Sequence, residues 1–221
     1  MRYVATLLSL TTLLAGCGAI PQAEAPRRQS VKQSTAVFTP HAEARVCLSQ
    51  LGQTQARFSP LPDAYYGAGC SAVNAVSLQS LRSDEAALAV TNLTRVGCPL
   101  ATTFAGWARF GADRAASQIL GSPLARIETF GSYNCRDVAG TARRSAHASA
   151  GAIDIAAFVL ADGRRIAVAS AWADGTPSER RFLRVIHQSA CKRFGTVLGP
   201  GYNAAHADHF HVELGGGRFC R

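Results

Sequence analysis

The sequence predicts an α+β domain in which a small antiparallel sheet has its helices packed on one side. Three features favour this class. Apolar residues recur at helical spacing from Leu100 to Leu120 and again from Pro177 to Phe194. Between these two stretches, Asp162-Gly163 separates two short apolar runs, which is the signal of a β-hairpin. Helices beside hairpin-connected strands indicate the α+β class.

The first 16 residues are predicted to be a secretory signal peptide. They carry the basic Arg2 and an apolar run from Tyr3 to Leu14 that is too short for a stable membrane span. The run ends in Leu14-Ala15-Gly16-Cys17, which resembles the bacterial lipobox and implies acylation of Cys17. The alternative is an ordinary signal cut nearby, with Cys17 a spare thiol. Residues 17–44 then form the acylated cysteine and a flexible tether, because they are polar and poor in bulky apolar side chains.

Residues 45–221 have the length and composition of one globular domain. In its first half we expect a helix over Ala44 to Gln55, a loop closed by Cys70, and a strand over Ser71 to Leu78. The long helix over Leu100 to Leu120 follows. Gly111 lies in the apolar stripe of that helix and would let a neighbouring element approach closely.

In the second half we expect a strand over Arg126 to Tyr133 and an exposed polar loop over Asn134 to Arg144. The hairpin strands are predicted over Ile153 to Leu160 and Arg165 to Ser170. The helix over Pro177 to Phe194 should turn four residues inward. These are Phe182, Val185, Ile186 and Ser189. Strands over Thr196 to Leu198 and His209 to Leu214 complete the sheet.

The cysteine count indicates disulfides. Without Cys17 an even set of six remains in an exported chain, which predicts three bonds. The six are Cys47, Cys70, Cys98, Cys135, Cys191 and Cys220. They can pair in many ways, and our working guess is sequential pairing, Cys47 with Cys70, Cys98 with Cys135, and Cys191 with Cys220. A cysteine zinc site is disfavoured because no Cys-x-x-Cys pair occurs.

The charge of the chain favours anionic surfaces. The net charge of +9 falls to +8 when Arg2 leaves with the signal, because 22 basic residues then face 14 acidic ones. In a cell envelope the anionic partners are phospholipid, lipopolysaccharide or the carboxylate-bearing wall, and nucleic acid is not an expected partner. A basic surface that is merely solvated is the alternative.

Two short stretches supply the candidate site. Three of the six histidines lie between His206 and His211, and on a strand His209, His211 and Glu213 would share one face. The second stretch contains His147, which precedes another apolar strand, and Asp154, which lies at the start of that strand. His147, Asp154 and His211 could therefore hold one Zn²⁺ and leave a fourth position for water, as in hydrolases. The alternatives for the histidine cluster, a metal-scavenging tract or a helix cap, do not explain its alternating apolar flanks.

These stretches also resemble known families. Ser145-x-His147, Ala152-x-Asp154 and the run from His206 to His211 look like the zinc D-alanyl-D-alanine carboxypeptidases and endopeptidases, whose superfamily includes lysostaphin-type enzymes and hedgehog domains. A closer resemblance is to the bacterial extensin-like C-terminal domain family, over about Cys47 to Cys220. The segments that carry this second resemblance are Leu61-Pro62-Asp63, Gly131 to Arg136, Thr196 to Pro200 and His206 to His211.

The resemblance implies a hedgehog and D-Ala-D-Ala peptidase-like fold, zinc on His147, Asp154 and His211, and Asp208 as general base. It also implies further roles, assigned as follows: an oxyanion donor in His209 or His206, substrate binding by Arg136, Tyr133 and Ser132, and orientation of His147 by Ser145. Arg136 could instead be an ordinary loop arginine. The chain departs from the related peptidases at Ala150, where they usually have glycine, and the added methyl group would either perturb the ligand geometry or shift the bend by one residue.

The sequence therefore leads to a lipid-anchored, monomeric zinc peptidase that cuts D-amino-acid bonds of peptidoglycan peptides, as a carboxypeptidase or an endopeptidase. Its expected place is the outer membrane, facing the periplasm. A noncatalytic peptidoglycan-binding lipoprotein with a structural zinc is the alternative, and a wall-linking protein without metal is a third.

Overall fold

The computed structural model of the chain describes residues 39–215 and 217–221. The predicted signal peptide, Cys17 and the tether as far as residue 38 lie outside the described residues, and those predictions stay predictions. No helix among the described residues combines the length and the apolar character that crossing a membrane requires.

The helices follow the predicted positions with small shifts at their ends. Their bounds are α1 Ala42–Gln53, α2 Cys98–Trp107, α3 Arg114–Leu120, α4 Val168–Ala171 and α5 Pro177–Cys191. A π-helical segment, Ala108–Asp113, joins α2 to α3, so the predicted long helix is continuous but carries an internal bulge. Gly121, with φ of 74°, ends α3 in the left-handed conformation that glycine adopts without strain. Helix α4 replaces the second half of the strand that was predicted over Arg165 to Ser170.

The strands are more numerous than predicted. Their bounds are β1 Arg57–Pro60, β2 Ala64–Gly67, β3 Cys70–Ala72, β4 Ala75–Arg82, β5 Ala87–Val90, β6 Val96–Gly97, β7 Leu124–Gly131, β8 Ala152–Leu160, β9 Arg165–Ala167, β10 Thr196–Leu198, β11 Phe210–Glu213 and β12 Phe219–Cys220. Ten of them form one sheet in the order β1-β4-β5-β7-β8-β11-β10-β12, with β6 beside β4 and β9 beside β8. Only the β5–β7 and β10–β12 pairs in it are parallel. The α+β class is confirmed, but the sheet is large rather than small. Strands of two to four residues are too short to show a period-two pattern.

Strands β2 and β3 form a separate two-stranded sheet. The sequence predicted a loop as far as Cys70, because its glycines and prolines dominate the pattern, so β2 was missed, whereas most of β3 lies in the strand predicted from Ser71. This β2–β3 hairpin becomes important below, since it carries Tyr65 and Tyr66.

One hydrophobic core lies between the helices and the large sheet. The Trp107 ring packs edge-on against Phe158 of β8, with ring centroids 6.3 Å apart, and its Nε1 donates to the Ile186 carbonyl at 3.2 Å. A Cβ on Gly111 would lie 2.5 Å from Ser189 Oγ of α5, which confirms that this glycine allows a close approach. The predicted inward position of Val185 is wrong, because it is 38% exposed while Ile186 is buried.

The described residues contain three disulfides, as predicted, but two of the three guessed pairings are wrong. The bonds join Cys47 to Cys98, Cys70 to Cys135, and Cys191 to Cys220. Helix α1 packs on α2, so Cys47 meets the first residue of α2. The β2–β3 hairpin in turn faces the loop after β7, so Cys70 meets Cys135. Packing between elements, rather than nearness in sequence, decides both bonds.

Candidate metal centre

Two of the predicted ligands are cross-strand neighbours. Strands β8 and β11 pair antiparallel, and their register places His211 directly opposite Asp154. Facing residues of an antiparallel pair lie on the same side of the sheet, so their side chains meet. Phe210 and Val212 point the other way and are buried in the core. The period-two prediction for this segment is therefore confirmed where it positions His211.

The third predicted ligand comes from a short turn ahead of β8. His147 lies in a 3₁₀ turn, Ala146–Ser149, whose first amides are capped by Ser145: its Oγ accepts from the His147 N–H at 3.4 Å. The His147 ring donates from Nδ1 to the Ser132 carbonyl at 2.5 Å. Because that bond occupies Nδ1, the Nε2 atom is left facing the other two residues. Fixing one imidazole nitrogen in this way is typical of metal-binding histidines.

The donor atoms of the three residues form a small triangle. His147 Nε2 lies 3.2 Å from His211 Nδ1 and 3.1 Å from Asp154 Oδ2, and His211 Nδ1 lies 2.9 Å from Asp154 Oδ1. All three residues are buried. Ligands bound tetrahedrally to zinc at roughly 2.0–2.1 Å are about 3.3 Å apart, so the triangle needs little adjustment to fit the ion. Two nitrogens and one carboxylate oxygen are a donor set that zinc accepts.

The electrostatics of this triangle favour a bound cation. Burial opposes the charge on Asp154, but hydrogen bonds from His147 and His211 outweigh it and hold the pKa of the carboxyl well below its usual range. Burial likewise opposes protonation of His211, yet its contacts with Asp154 and Glu213 raise its pKa to about 9. A buried carboxylate is thus balanced by a proton on an imidazole. A metal ion must compete with that proton, since ligating imidazoles are deprotonated.

Glu213 holds the far side of His211. Its Oε2 lies 3.6 Å from His211 Nε2, so Nδ1 is the nitrogen turned toward Asp154. Burial alone would raise the pKa of Glu213, but the hydrogen bond and charge of His211 have the larger effect. The pKa is therefore below its usual value and the carboxyl is ionised. The shared strand face of His211 and Glu213 was visible in the sequence.

Asp208 and His209 act as a pair. Asp208 Oδ1 accepts from His209 Nδ1 at 2.7 Å, and His209 Nε2 points toward the centre, 3.5 Å from Asp154 Oδ1. The Asp208 side chain is 57% exposed, whereas that of His209 is buried. The predicted general base therefore reaches the centre through an imidazole.

His206 lies at the rim of the site. Its ring centroid is 5.2 Å from that of His209 and 5.8 Å from that of His211. Burial and these two neighbouring imidazoles lower its pKa to about 4, so its ring is neutral. Nδ1 donates to Asn203 Oδ1 at 2.7 Å, which leaves Nε2 without a proton. His206 is consequently a poor oxyanion donor, a question that the sequence left open.

A cavity of about 160 Å³ opens beside His147 and Asp154. The predicted substrate-binding residues Ser132, Tyr133 and Arg136 all line it, and Arg136 Nη2 lies 3.9 Å from Asp154 Oδ2. Ser132 itself is buried and its hydroxyl donates to the Ala150 carbonyl at 3.4 Å.

Phe130 also lines the cavity and was missed by the sequence reasoning. It is 59% exposed and meets the His209 ring edge-on, with centroids 5.7 Å apart. In the sequence, a single phenylalanine at the end of an apolar strand cannot be distinguished from the phenylalanines of the hydrophobic core.

Ala150 lies at the position where the resemblance led us to expect glycine. It ends the 3₁₀ turn with φ of 55°, in the left-handed region that glycine adopts freely and alanine does not. Its methyl group is fully buried and packs with Ala72 and Ala75. The turn that carries His147 therefore keeps the bend that a glycine would give, with some strain.

We expect Ala150→Gly to destabilise the fold less than Ala148→Gly, by about 1 kcal/mol in the free energy of unfolding. Both substitutions remove a buried methyl group from the same turn, but only the first relieves a positive φ. Chemical denaturation of the two variants measures the difference. Equal losses would mean that Ala150 is unstrained.

A second cluster, His187, Cys191 and Cys220, has its side chains close enough for a metal. The two cysteines are disulfide-bonded to each other, so they offer no thiolate. Among the described residues, the centre around Asp154 is the better candidate.

Residues 45–221 match the family model described as Extensin-like protein C-terminus. No curated protein and no solved structure matches the chain.

Proposed function

The chain belongs to the family described as Extensin-like protein C-terminus, and we propose that its domain is a zinc-dependent peptidase acting on peptidoglycan peptides. The observation that carries this proposal is the buried triangle of His147, Asp154 and His211, with donor atoms 2.9 to 3.2 Å apart. The relation to the zinc D-alanyl-D-alanine peptidases, with their hedgehog-like fold, is part of the same proposal and rests on the motifs that contain these residues.

His147, Asp154 and His211 would hold the zinc, with Ser132 and Glu213 fixing the two imidazoles. Bound zinc supplies a Lewis acid that polarises an amide carbonyl and lowers the pKa of water toward neutrality. Three protein donors would leave a fourth position for water, as in catalytic rather than structural zinc sites.

The Asp208 and His209 pair would accept a proton from the attacking water and pass it to the leaving amine. His209 Nε2 faces the centre and, with its Nδ1 proton held by Asp208, is free to accept a proton there. The resulting imidazolium is stabilised by the Asp208 carboxylate and can return the proton to the leaving amine. The proposed base is therefore the pair, whereas the resemblance implied Asp208 alone.

Arg136 and the cavity walls would hold the peptide. A guanidinium binds a carboxylate through two parallel hydrogen bonds, and Arg136 is half-exposed at the mouth of the cavity. Phe130 and Tyr133 supply apolar walls on which a small D-alanyl group could pack. The D-amino-acid specificity rests on the resemblance.

The cellular setting extends the proposal. Acylated Cys17 and the polar tether would anchor a basic, monomeric domain to the outer membrane, within reach of the carboxylate-bearing wall. Nucleic acid has no place in this setting.

Incubation of the full-length chain with purified muropeptides, with and without a chelator, tests the proposal by mass analysis of the products. We expect loss of D-alanine or scission of cross-links, abolished by the chelator and restored by zinc. A chain that keeps zinc but releases nothing would be the peptidoglycan-binding lipoprotein instead. A chain without metal would be a wall-linking protein.

A further inference from the structure

Arg95 is an arginine without an acidic partner at a half-buried position. It precedes β6, and its Nε is the one buried side-chain nitrogen or oxygen without a hydrogen-bond partner in the part of the chain that the structure describes. No carboxylate of the described residues lies within ion-pair distance of it, although several other arginines are paired in this way. These are Arg109, Arg114, Arg126, Arg144, Arg164 and Arg165. An unsatisfied buried donor calls for an explanation.

Two tyrosine rings hold the guanidinium of Arg95. Its Cζ lies 5.4 Å from the Tyr66 ring centroid and 5.7 Å from that of Tyr133, and the two rings are 5.0 Å apart. Nη1 also donates to the Tyr66 hydroxyl. The rings stabilise the cation and fix its position, but they leave most of its N–H donors without an acceptor.

This stack adjoins the candidate site. Tyr133 lines the cavity beside His147 and Asp154, and its backbone N–H donates to the Arg95 carbonyl at 3.3 Å. Arg136 is only three residues farther along the same loop. Arg95 does not itself line the cavity, but it contacts Tyr133, which is part of the cavity wall.

The β2–β3 hairpin that supplies Tyr66 is fixed at this place. A lone two-stranded sheet is marginally stable in water. Here the Cys70–Cys135 disulfide ties the hairpin to the cavity loop, and Arg144 Nε donates to the Ala68 carbonyl at 2.7 Å. Both links hold Tyr66 against Arg95.

We infer that Arg95, held by Tyr66 and Tyr133, binds a second carboxylate of the substrate, carried by the side chain two residues before the terminal D-alanine. This inference rests on the proposed function and narrows it to acidic peptides. Arg136 would take the terminal carboxylate and Arg95 the side-chain one. A carboxylate can accept two parallel hydrogen bonds from a guanidinium, and none of the described residues supplies a carboxylate to Arg95.

Two pentapeptides that end in D-alanyl-D-alanine test the inference. One carries meso-diaminopimelate at the third position and the other carries lysine, so they differ by one carboxylate. We expect the full-length chain to prefer the diaminopimelate peptide in kcat/KM by about tenfold or more, the size of a charge-assisted hydrogen bond. Arg95→Met should remove the preference by slowing that peptide alone, and Arg95→Lys should keep part of it.

The control is Arg181→Met, which removes an exposed arginine of α5 and should leave both rates unchanged. Equal slowing of both peptides by Arg95→Met would make Arg95 a structural residue and overturn the inference, as would a wild type without preference. If neither peptide is cut, the proposed function fails but the inference is still tested. Calorimetric binding of both peptides must then show the same preference and the same loss, and equal affinities would overturn it.

Discussion

In the proposed zinc site, Asp154→Asn is expected to abolish zinc binding and, with it, to lower kcat/KM at least about a thousandfold, since metal catalysis contributes several kcal/mol and each 1.36 kcal/mol is tenfold. Asparagine keeps the shape of the side chain but removes the negative charge. Asp154 is the acidic member of the triangle and contacts His147, His211 and His209 within 3.5 Å. Without it, a cation would face imidazoles alone.

Metal content by mass spectrometry after dialysis, together with thermal unfolding, measures this prediction. Two other carboxylates provide graded controls. Glu213→Gln removes the group behind His211 and should weaken zinc binding by roughly 10- to 100-fold. Asp137→Asn removes an exposed carboxylate bonded to Arg144 at 2.6 Å and should leave the metal content unchanged. Full zinc occupancy in Asp154→Asn at wild-type affinity would remove Asp154 from the ligand set.

The parts of the site that the sequence could predict are those set by local periodicity. Alternation around His211 placed Phe210 and Val212 in the core, and antiparallel pairing then required only the correct register to bring Asp154 opposite. The two main helices were predictable for the same reason, because their apolar stripes span many turns. Each of these features repeats a pattern over enough residues to be recognised.

The parts that could not be predicted depend on contacts between distant segments. The Ser132 carbonyl selects the free nitrogen of His147, and backbone groups leave no mark in a sequence. The disulfides of Cys47 and Cys70 follow the packing of α1 and of the β2–β3 hairpin. The Arg95 stack joins three segments that are far apart in the chain. Nothing in any one of them indicates the other two.

The structure changes the proposed role of Asp208. The resemblance implied a base acting directly at the metal. The turn that precedes β11 instead exposes its carboxylate and directs it to the ring of His209. In the proposed reaction Asp208 would therefore act through the His209 ring rather than directly on the water.

Asp208→Asn and His209→Gln are each expected to lower kcat by about 10²- to 10⁴-fold while zinc stays bound, because general base catalysis contributes that much. Neither residue belongs to the triangle of ligands. In the proposed reaction His209 Nε2 carries the proton and Asp208 only orients and stabilises the ring, so the double variant should be no slower than the slower single variant. Rates on muropeptides, normalised to metal content, measure this.

His206→Gln serves as the comparison, since it removes a third imidazole from the same six-residue stretch. Its neutral ring donates to Asn203 and presents an unprotonated nitrogen, so its loss should cost at most about tenfold, the value of one ordinary hydrogen bond. A His209→Gln chain that kept full activity while Asp208→Asn lost it would show that Asp208 acts directly on the substrate. The hydrogen bond between Asp208 and His209 would then orient the carboxylate rather than the imidazole.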